Sequence, residues 1–497
     1  MSESRLEATP PSRPAARGGD GHHVSTDGPL TGRRIAMLVY NDLSSDARVI
    51  KEATALSEAG AEVRVIALAV ARGRYAPGLD RSRPAFETLR VPIVEIKHLL
   101  PIWGDAVRRL IRRSSTPAVA PAPTPTPAPT PTTPSPSSSA APAPPAAAAP
   151  AARAPIGGLK GVLIDLWGRL DLTLRMASYW RRARRELLAW RPDAIHAHDA
   201  NTLSPAARAA RRLRIPLVYD SHELWTERNV RADRPFAKRW ERIVERRGIR
   251  RAELVVTVSP SIARWLQDRY RLTREPLLVR NIPAASPTAG DRGRGRLREL
   301  ASLPDDARVL VYCGGVTTNR GIERVVDALA HLPADHHLVA IGPASEIVAA
   351  QLRRRAVGVG AAGRLHLVGS VDSHEVTTAL ADGDVSFVLT NPSCLSYRYS
   401  LPNKLFESLH AGLPIIANDL PDTGAIVSQS GAGVIVGESA DSRELADAVR
   451  SVLVDRERLS RAALAAAQEH RWEDDIEALV AAYSAMTSRH RPGGPHA

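Results

Sequence analysis

Ser400-Leu401-Pro402-Asn403-Lys404-Leu405-Phe406-Glu407-Ser408-Leu409-His410-Ala411-Gly412-Leu413-Pro414-Ile415-Ile416-Ala417 decides the fold of this chain. The stretch reads as a loop that opens a helix at Pro402, shows a polar Asn/Lys/Glu face for two turns, stops at Gly412 and drops into a buried strand over 414–417. A helix N-terminus presents unpaired N–H groups and a partial positive charge, so with Lys404 one turn inside it suits a diphosphate. Glu407 lies on the same face and can accept hydrogen bonds from a pair of sugar hydroxyls.

The surroundings repeat the pattern. Upstream, apolar strands are expected at 309–312, 338–341, 365–368 and 385–389, with a helix over 321–330 striped by Ile322, Val325, Val326 and Leu329. A strand at 434–436 completes this sheet. The N-terminal half begins with a strand at 34–40, apolar positions at helical spacing (Val49, Ile50, Ala53, Leu56) up to Gly60, and a strand at 63–68. Strands at 194–197, 217–219, 255–258 and 277–279 follow, and Ser259-Pro260 reads as an N-cap with proline at the first helical position. The expected fold is α/β: two doubly wound parallel-sheet (Rossmann-like) domains facing across a cleft. The first loop, Asn41 to Asp46, contains no glycine, so the dinucleotide-binding fingerprint is absent.

Boundaries follow from composition. Residues 1–32 read as a disordered tail, 33–115 with 156–283 as the N-terminal domain, and 284–300 as a Gly/Pro/Arg-rich linker. The C-terminal domain spans 301–470, and a helix over 471–488 is expected to pack back on the N-terminal domain. Residues 116–155 are a Pro/Ala/Thr-rich insertion that cannot bury a core. It reads as a solvated segment without chemistry, or else as a partner-docking proline tract. One long helix is expected over 159–190, with Arg181, Arg182, Arg184 and Arg185 near its end. It suits either an anionic membrane surface or a core-packed helix with a solvated arginine face.

The formal net charge is +14, which fits nucleic acid, anionic lipid or anionic substrates. No nucleic-acid recognition motif is present and aromatics are few, so nucleic acid is not an expected partner. The two cysteines, Cys313 and Cys394, lack metal-site spacing and fit a reducing compartment. Arg33-Arg34 precedes an apolar run too short for export, and no segment has the ~18 apolar residues a membrane span needs. A cytoplasmic protein is expected, either soluble or peripheral on the inner face of the plasma membrane.

Two elements carry candidate chemistry at strand C-terminal ends of one sheet. Gly314-Gly315 let backbone approach a ligand closely, and Arg320, just before a helix, offers a planar fork for phosphate oxygens. Lys404 and Glu407 supply the other. The order Gly314-Gly315, Arg320-Gly321, Gly342-Pro343, Val368-Gly369, Pro402-Asn403-Lys404-x-x-Glu407 and Ala411-Gly412-x-Pro414 resembles the glycosyltransferases of family 4, with the GT-B fold. Asp46-Ala47-Arg48-Val49-x-Lys51-Glu52-Ala53, His196-x-His198 and Val279-Arg280-Asn281 are similar to that family as well.

The resemblance implies retaining transfer of a sugar from a nucleotide-sugar, bound by the C-terminal domain, to an unknown acceptor (glycolipid, polysaccharide or small glycoside) on the N-terminal domain. It implies donor binding by Gly314, Gly315, Arg320, Pro402, Asn403, Lys404 and Glu407. Glu407 is on the ribose, and Arg320 and Lys404 hold the diphosphate and stabilise the leaving nucleotide. His198 matches a histidine near the donor sugar, so the implied catalytic set is His198, Arg320 and Lys404. No metal or other cofactor is expected. Asp42, Asp46, His222 and Glu223 are acceptor-side candidates, with Asp42 and Asp46 better read as turn and N-cap residues. Tyr399 stands where the family often has a sugar-reading glutamate, and Val316-Thr317 where an arginine is common. The alternatives are a nucleotide-sugar epimerase on the same fold and a non-catalytic sugar-nucleotide-binding scaffold.

Overall fold

The computed structural model describes residues 28–44, 46–69, 76–96, 159–228, 235–283, 296–372 and 375–490. Residues 1–27 of the expected tail, the 116–155 insertion and residues 284–295 of the expected linker lie outside the described residues. The chain forms two compact units, Met1–Val91 with Arg182–Ala497, and Pro92–Arg181. In the smaller unit, the Val94 and Ile96 amides donate to Ser178 Oγ at 2.9 Å and Asp171 Oδ1 at 2.7 Å.

The larger unit holds two sheets. The first has eight strands among the described residues: β1 (Arg34–Leu38), β2 (Glu62–Ala69), β3 (Gly78–Asp80), β4 (Glu87–Pro92), β5 (Ala194–His198), β6 (Leu217–Ser221), β7 (Leu254–Thr257) and β8 (Leu277–Leu278). Their order is β3-β4-β2-β1-β5-β6-β7-β8. The β1–β2, β1–β5 and β5–β6 pairs are parallel, as are β6–β7 and β7–β8, and β3 runs antiparallel to β4 at the edge. The strands are apolar on both faces because helices cover both.

The second sheet is parallel throughout: β9 (Arg308–Cys313), β10 (His336–Ile341), β11 (Leu365–Gly369), β12 (Val385–Val388), β13 (Ile415–Asn418) and β14 (Gly433–Val436), in the order β11-β10-β9-β12-β13-β14. Each sheet reverses its winding once, between β1 and β5 and between β9 and β12. In open parallel sheets the crevice beyond the strand C-termini at such a point is where ligands sit.

Residues 296–300 differ from the linker expected there: they belong to a helix, Arg296–Ala301. Its short sequence has no strong start signal of its own, and the cap comes from far along the chain. Asp382 Oδ2 accepts from the Leu297 and Arg298 amides at 2.9 and 3.0 Å, and Leu297 is fully buried. The last helix, Trp472–Arg489, carries Leu479, Tyr483 and Met486 into the same apolar cluster as Ile35, Val49 and Leu56 of the first sheet's layer. Burying each such side chain is worth about 1.5–3 kcal/mol, which ties the end of the chain to the N-terminal domain.

Polar contacts also join the domains. Ser259 caps the Pro260–Tyr270 helix by accepting from the Ile262 amide, and its hydroxyl donates to the Tyr399 carbonyl at 2.7 Å. Ser261 donates to Asp422 through its amide and hydroxyl at 3.1 and 2.9 Å. The loop leading to residue 403 is therefore held by the opposite domain.

Candidate functional site

The helix quoted at the outset spans Asn403–His410, with Pro402 as its N-cap residue and Gly412 at φ 70°, the left-handed turn that ends it. Its apolar positions Leu405, Phe406 and Leu409 are buried, which turns Asn403 and Glu407 toward a cleft. The cleft, about 670 Å³, lies at the C-terminal ends of β9 and β10 and across from those of β5 and β6. Gly314, Gly315, Arg320, Pro402, Asn403, Lys404 and Glu407 line it from one domain, and Asp199, His222 and Glu223 from the other.

Backbone packing shapes the glycine turn. The Gly314 amide donates to the Ile341 carbonyl and the Val316 amide to the Pro343 carbonyl, both at 2.9 Å, so the two loops lie against each other. A Cβ on Gly342, at φ 141°, would come to 2.0 Å from the Gly314 carbonyl oxygen. Only glycine fits there, and the close approach sets the height of the 314–315 turn in the cleft.

Lys404 is the most unusual group present. It is 6% exposed, its ammonium lies 3.8 Å over the Tyr312 ring, and its Nζ has no hydrogen-bond partner. A Cβ placed on Gly314 would be 4.0 Å from this nitrogen, so it sits directly behind the glycine turn. Burial, with Arg320 nearby, pushes the ammonium down to about 7. Glu407, one turn on, is raised by burial, although the Cys313 thiol donates to it and Lys404 and Lys51 lie near. Arg320 is half-buried with its guanidinium 5.4 Å from the Tyr397 ring. A buried amine without a partner, an arginine and a helix N-terminus converge on one spot, which is the donor set a diphosphate needs.

Opposite lies a buried ionic network. Arg48 and Glu52, on the covered face of helix Ala47–Glu58, meet Asp220 at the end of β6. The Arg48 guanidinium reaches Asp220 Oδ2 at 2.8 Å and Glu52 Oε1 at 3.0 Å. His196 and His198, two apart on β5, point the same way and stack at 4.2 Å. The Tyr483 hydroxyl and His196 Nδ1 are 2.9 Å apart. Glu52, His196, His198 and Asp220 bring potential ligand atoms within 4.8 Å of one another. The Arg48 guanidinium places a cation between the two carboxylates, where an ion held by these four residues would have to compete with it.

His198 is 2% exposed and does not line the cleft. It lies one layer back, its Nδ1 3.1 Å from Nε2 of His222, and it is His222 that faces the ligand space. Burial, then His196, holds His198 well below its ordinary value, so it is neutral. For His222 burial works against the charge, but Asp199 and Asp220 outweigh it and push the ring up to about 9. His222 is thus a cation at neutral pH, 3.2 Å from Asp220 Oδ2.

Of the remaining candidates, Asp42 and Asp46 are structural in this geometry. Asp46 is the N-cap of Ala47–Glu58, and Asp42 accepts from the Ser44 amide and hydroxyl at 3.1 and 2.7 Å, an Asx turn. Neither lines the cleft. Glu223 does, and it is paired with Arg228 at 2.8 Å. Sequence reasoning gave no role to Lys51, whose ammonium donates to the Ile282 carbonyl at 2.5 Å and lies 4.5 Å over the Trp472 ring. The signal was available, since Arg48, Lys51 and Glu52 crowd charge onto one short helix that has to bury a face.

Comparisons with known proteins agree with the two-sheet α/β fold. Residues 139–280 match the model of Glycosyltransferase Family 4, and residues 307–455 that of Glycosyl transferases group 1. A D-inositol 3-phosphate glycosyltransferase of Geodermatophilus obscurus is 27% identical over 338 residues, covering 64% of this chain and 72% of the relative. A glycogen synthase of Mycobacterium tuberculosis is 25% identical over 319 residues, covering 62% and 72%. Among solved structures, sucrose-phosphate synthase of Thermosynechococcus elongatus superposes with a TM-score of 0.63 at 17% identity, covering 92% of this chain and 100% of that one. Anabaena HepE, solved in complex with UDP-glucose, gives 0.58 at 14% identity, covering 91% and 100%.

Proposed function

We propose that this chain acts as a family 4 glycosyltransferase, an enzyme of GT-B fold that takes a sugar from a nucleotide-sugar donor, and that its donor diphosphate is held between Lys404, Arg320 and the start of the Asn403–His410 helix. The observation that carries this is the buried Lys404 ammonium with no partner, aimed at the glycine turn. A phosphate oxygen supplies the missing acceptor, and the charge that grows on the departing nucleotide is stabilised by groups already in place. Glu407 holds the ribose hydroxyls. HepE is a UDP-glucose complex, which supports a uridine nucleotide here.

The acceptor enters from the N-terminal side, its hydroxyl toward His222. The buried charge network behind His222 fixes the ring in place, and transfer proceeds with retention at the anomeric carbon, without a metal. The named relatives are transferases and synthases, which does not favour epimerisation or a silent scaffold. Glycolipid, polysaccharide and small-glycoside acceptors all fit an open cleft. Among the described residues no helix is long and apolar enough to cross a membrane. Cytoplasmic location with peripheral contact to an anionic membrane completes the proposal, supported by the exposure of Arg181, Arg182, Arg184 and Arg185.

The test is nucleotide-sugar turnover by the purified protein across a donor panel, beside Glu407→Ala and Arg320→Ala. Each variant loses about 10- to 100-fold in kcat/KM, the cost of roughly one charge-assisted hydrogen bond. Full activity in both would sink the site assignment.

A further inference from the structure

The edge of the eight-stranded sheet where the strands begin, opposite the end that faces the cleft, carries a second concave surface. Arg191 lies just before β5 and Arg214 just before β6, and the register Ile195↔Leu217 sets these two strand starts side by side. Arg184 comes from the end of the Leu159–Trp190 helix, and Arg208, Arg211 and Arg212 from the end of Ala200–Leu213. Together they line a groove of about 910 Å³.

All six arginines are exposed, and among the described residues none pairs with a carboxylate. Some arginines of the same domain are matched, such as Arg64 with Glu87 at 2.5 Å, Arg228 with Glu223 at 2.8 Å and Arg48 with Asp220 at 2.8 Å. A helix C-terminus favours a cation or two in its last turn, which covers part of the set and not six in one hollow. Arg191 and Arg214 also sit at φ 53° and 57°, left-handed positions where glycine serves without a steric cost, so backbone geometry does not ask for arginine there. Like charges around a concavity repel one another and focus a positive field into it, and an anion relieves both effects.

We propose that this groove is a binding site for a ligand carrying two or more clustered phosphate groups. Guanidinium forks match phosphate oxygens in pairs, and the groove is wide enough for several to engage at once. The ligand is either a soluble polyphosphorylated compound or the headgroup of a phosphorylated lipid, which share this chemistry. The site lies at the sheet edge away from the donor cleft and stands whether or not the diphosphate assignment at Lys404 holds.

The test is calorimetric titration of the full chain with inorganic tripolyphosphate at physiological salt, beside Arg208→Gln/Arg211→Gln/Arg212→Gln and beside Arg320→Ala. The three glutamines replace exposed side chains, and thermal melting checks the fold. Wild type is expected to bind at two places, the cleft and the groove. Arg320→Ala weakens the first, and the triple variant weakens the second by about tenfold or more, the loss of several charge-assisted contacts. Flotation with phosphatidylcholine vesicles, with and without phosphatidylinositol bisphosphate, separates the sources. Tripolyphosphate binding without flotation points to a soluble ligand, and flotation lost in the triple variant points to a headgroup. The triple variant leaves Arg181, Arg182 and Arg185 intact, so general membrane contact through them is read separately. No tripolyphosphate site beyond the cleft together with no flotation sensitive to the triple variant overturns the proposal, as does wild-type behaviour of the triple variant in both assays.

Discussion

Replacing Lys404 with alanine lowers kcat/KM for the donor by about 10²- to 10³-fold, the cost of removing one preorganised charge-stabilising donor from a water-poor site. Most of the loss is in kcat, because the ammonium meets more negative charge on the leaving nucleotide in the transition state than in the ground state. Lys404→Arg does not rescue it. The amine lies 3.8 Å over the Tyr312 ring, beneath the glycine turn, and a planar fork has no room to turn there. Steady-state kinetics with the preferred donor, beside a thermal melt showing an intact fold, checks this. A Lys404→Ala enzyme within threefold of wild type would remove the amine from the mechanism.

The largest stability effect is expected from Arg48→Met. The guanidinium is the only arginine or lysine group in contact with both Glu52 and Asp220 among the described residues, and both carboxylates are fully buried. Removing one partner of a buried ionic cluster costs about 3–5 kcal/mol, because charge is left without compensation. For a domain of this size that lowers the melting temperature by about 10 °C or more.

The pH dependence has a definite sign. Asp220 is held well below its ordinary value, against the cost of burial, chiefly by Arg48 and His222. Its stabilisation is present at neutral pH and is lost as pH falls below the ordinary carboxylate range toward the folded value. Without Arg48 the buried carboxylates take up protons more readily. The deficit relative to wild type therefore narrows as pH falls from 7 to about 4, into the carboxylate range. Calorimetric melts at the two pH values read this directly, and an Arg48→Met protein as stable as wild type at pH 7 would show the network to be energetically neutral.

The segment around Lys404 was legible because its physics is local: a proline start, a glycine stop and an apolar strand fix the helix within a few residues. The paired glycines and Arg320 were legible for the same reason. What lies across the cleft was harder to read, because it depends on register between distant strands. His198 pairs with Asp220 across β5 and β6, and that pairing decides which histidine faces the ligand and which is covered. The family resemblance implied His198, whereas the loop after β6 carries His222 over it. The Arg296–Ala301 helix was hidden in the same way, since its cap, Asp382, is supplied by tertiary packing. Arg48 and Glu52 gave a clue in their spacing: charges four residues apart on the apolar face of a helix have to find partners inside the fold.

Engagement of the Lys404 ammonium by a nucleotide diphosphate is read through proton linkage. The free amine is pushed down to about 7, so at pH 8 it is mostly uncharged. A diphosphate beside it favours the charged form, and binding therefore takes up a proton at pH 8. Titration of the nucleoside diphosphate at pH 8 in buffers of different ionisation enthalpy, for wild type and Lys404→Met, reads the uptake as a slope. The account predicts uptake on the order of one proton in wild type, mostly absent in Lys404→Met. The same uptake in both proteins, or none in wild type, would contradict it.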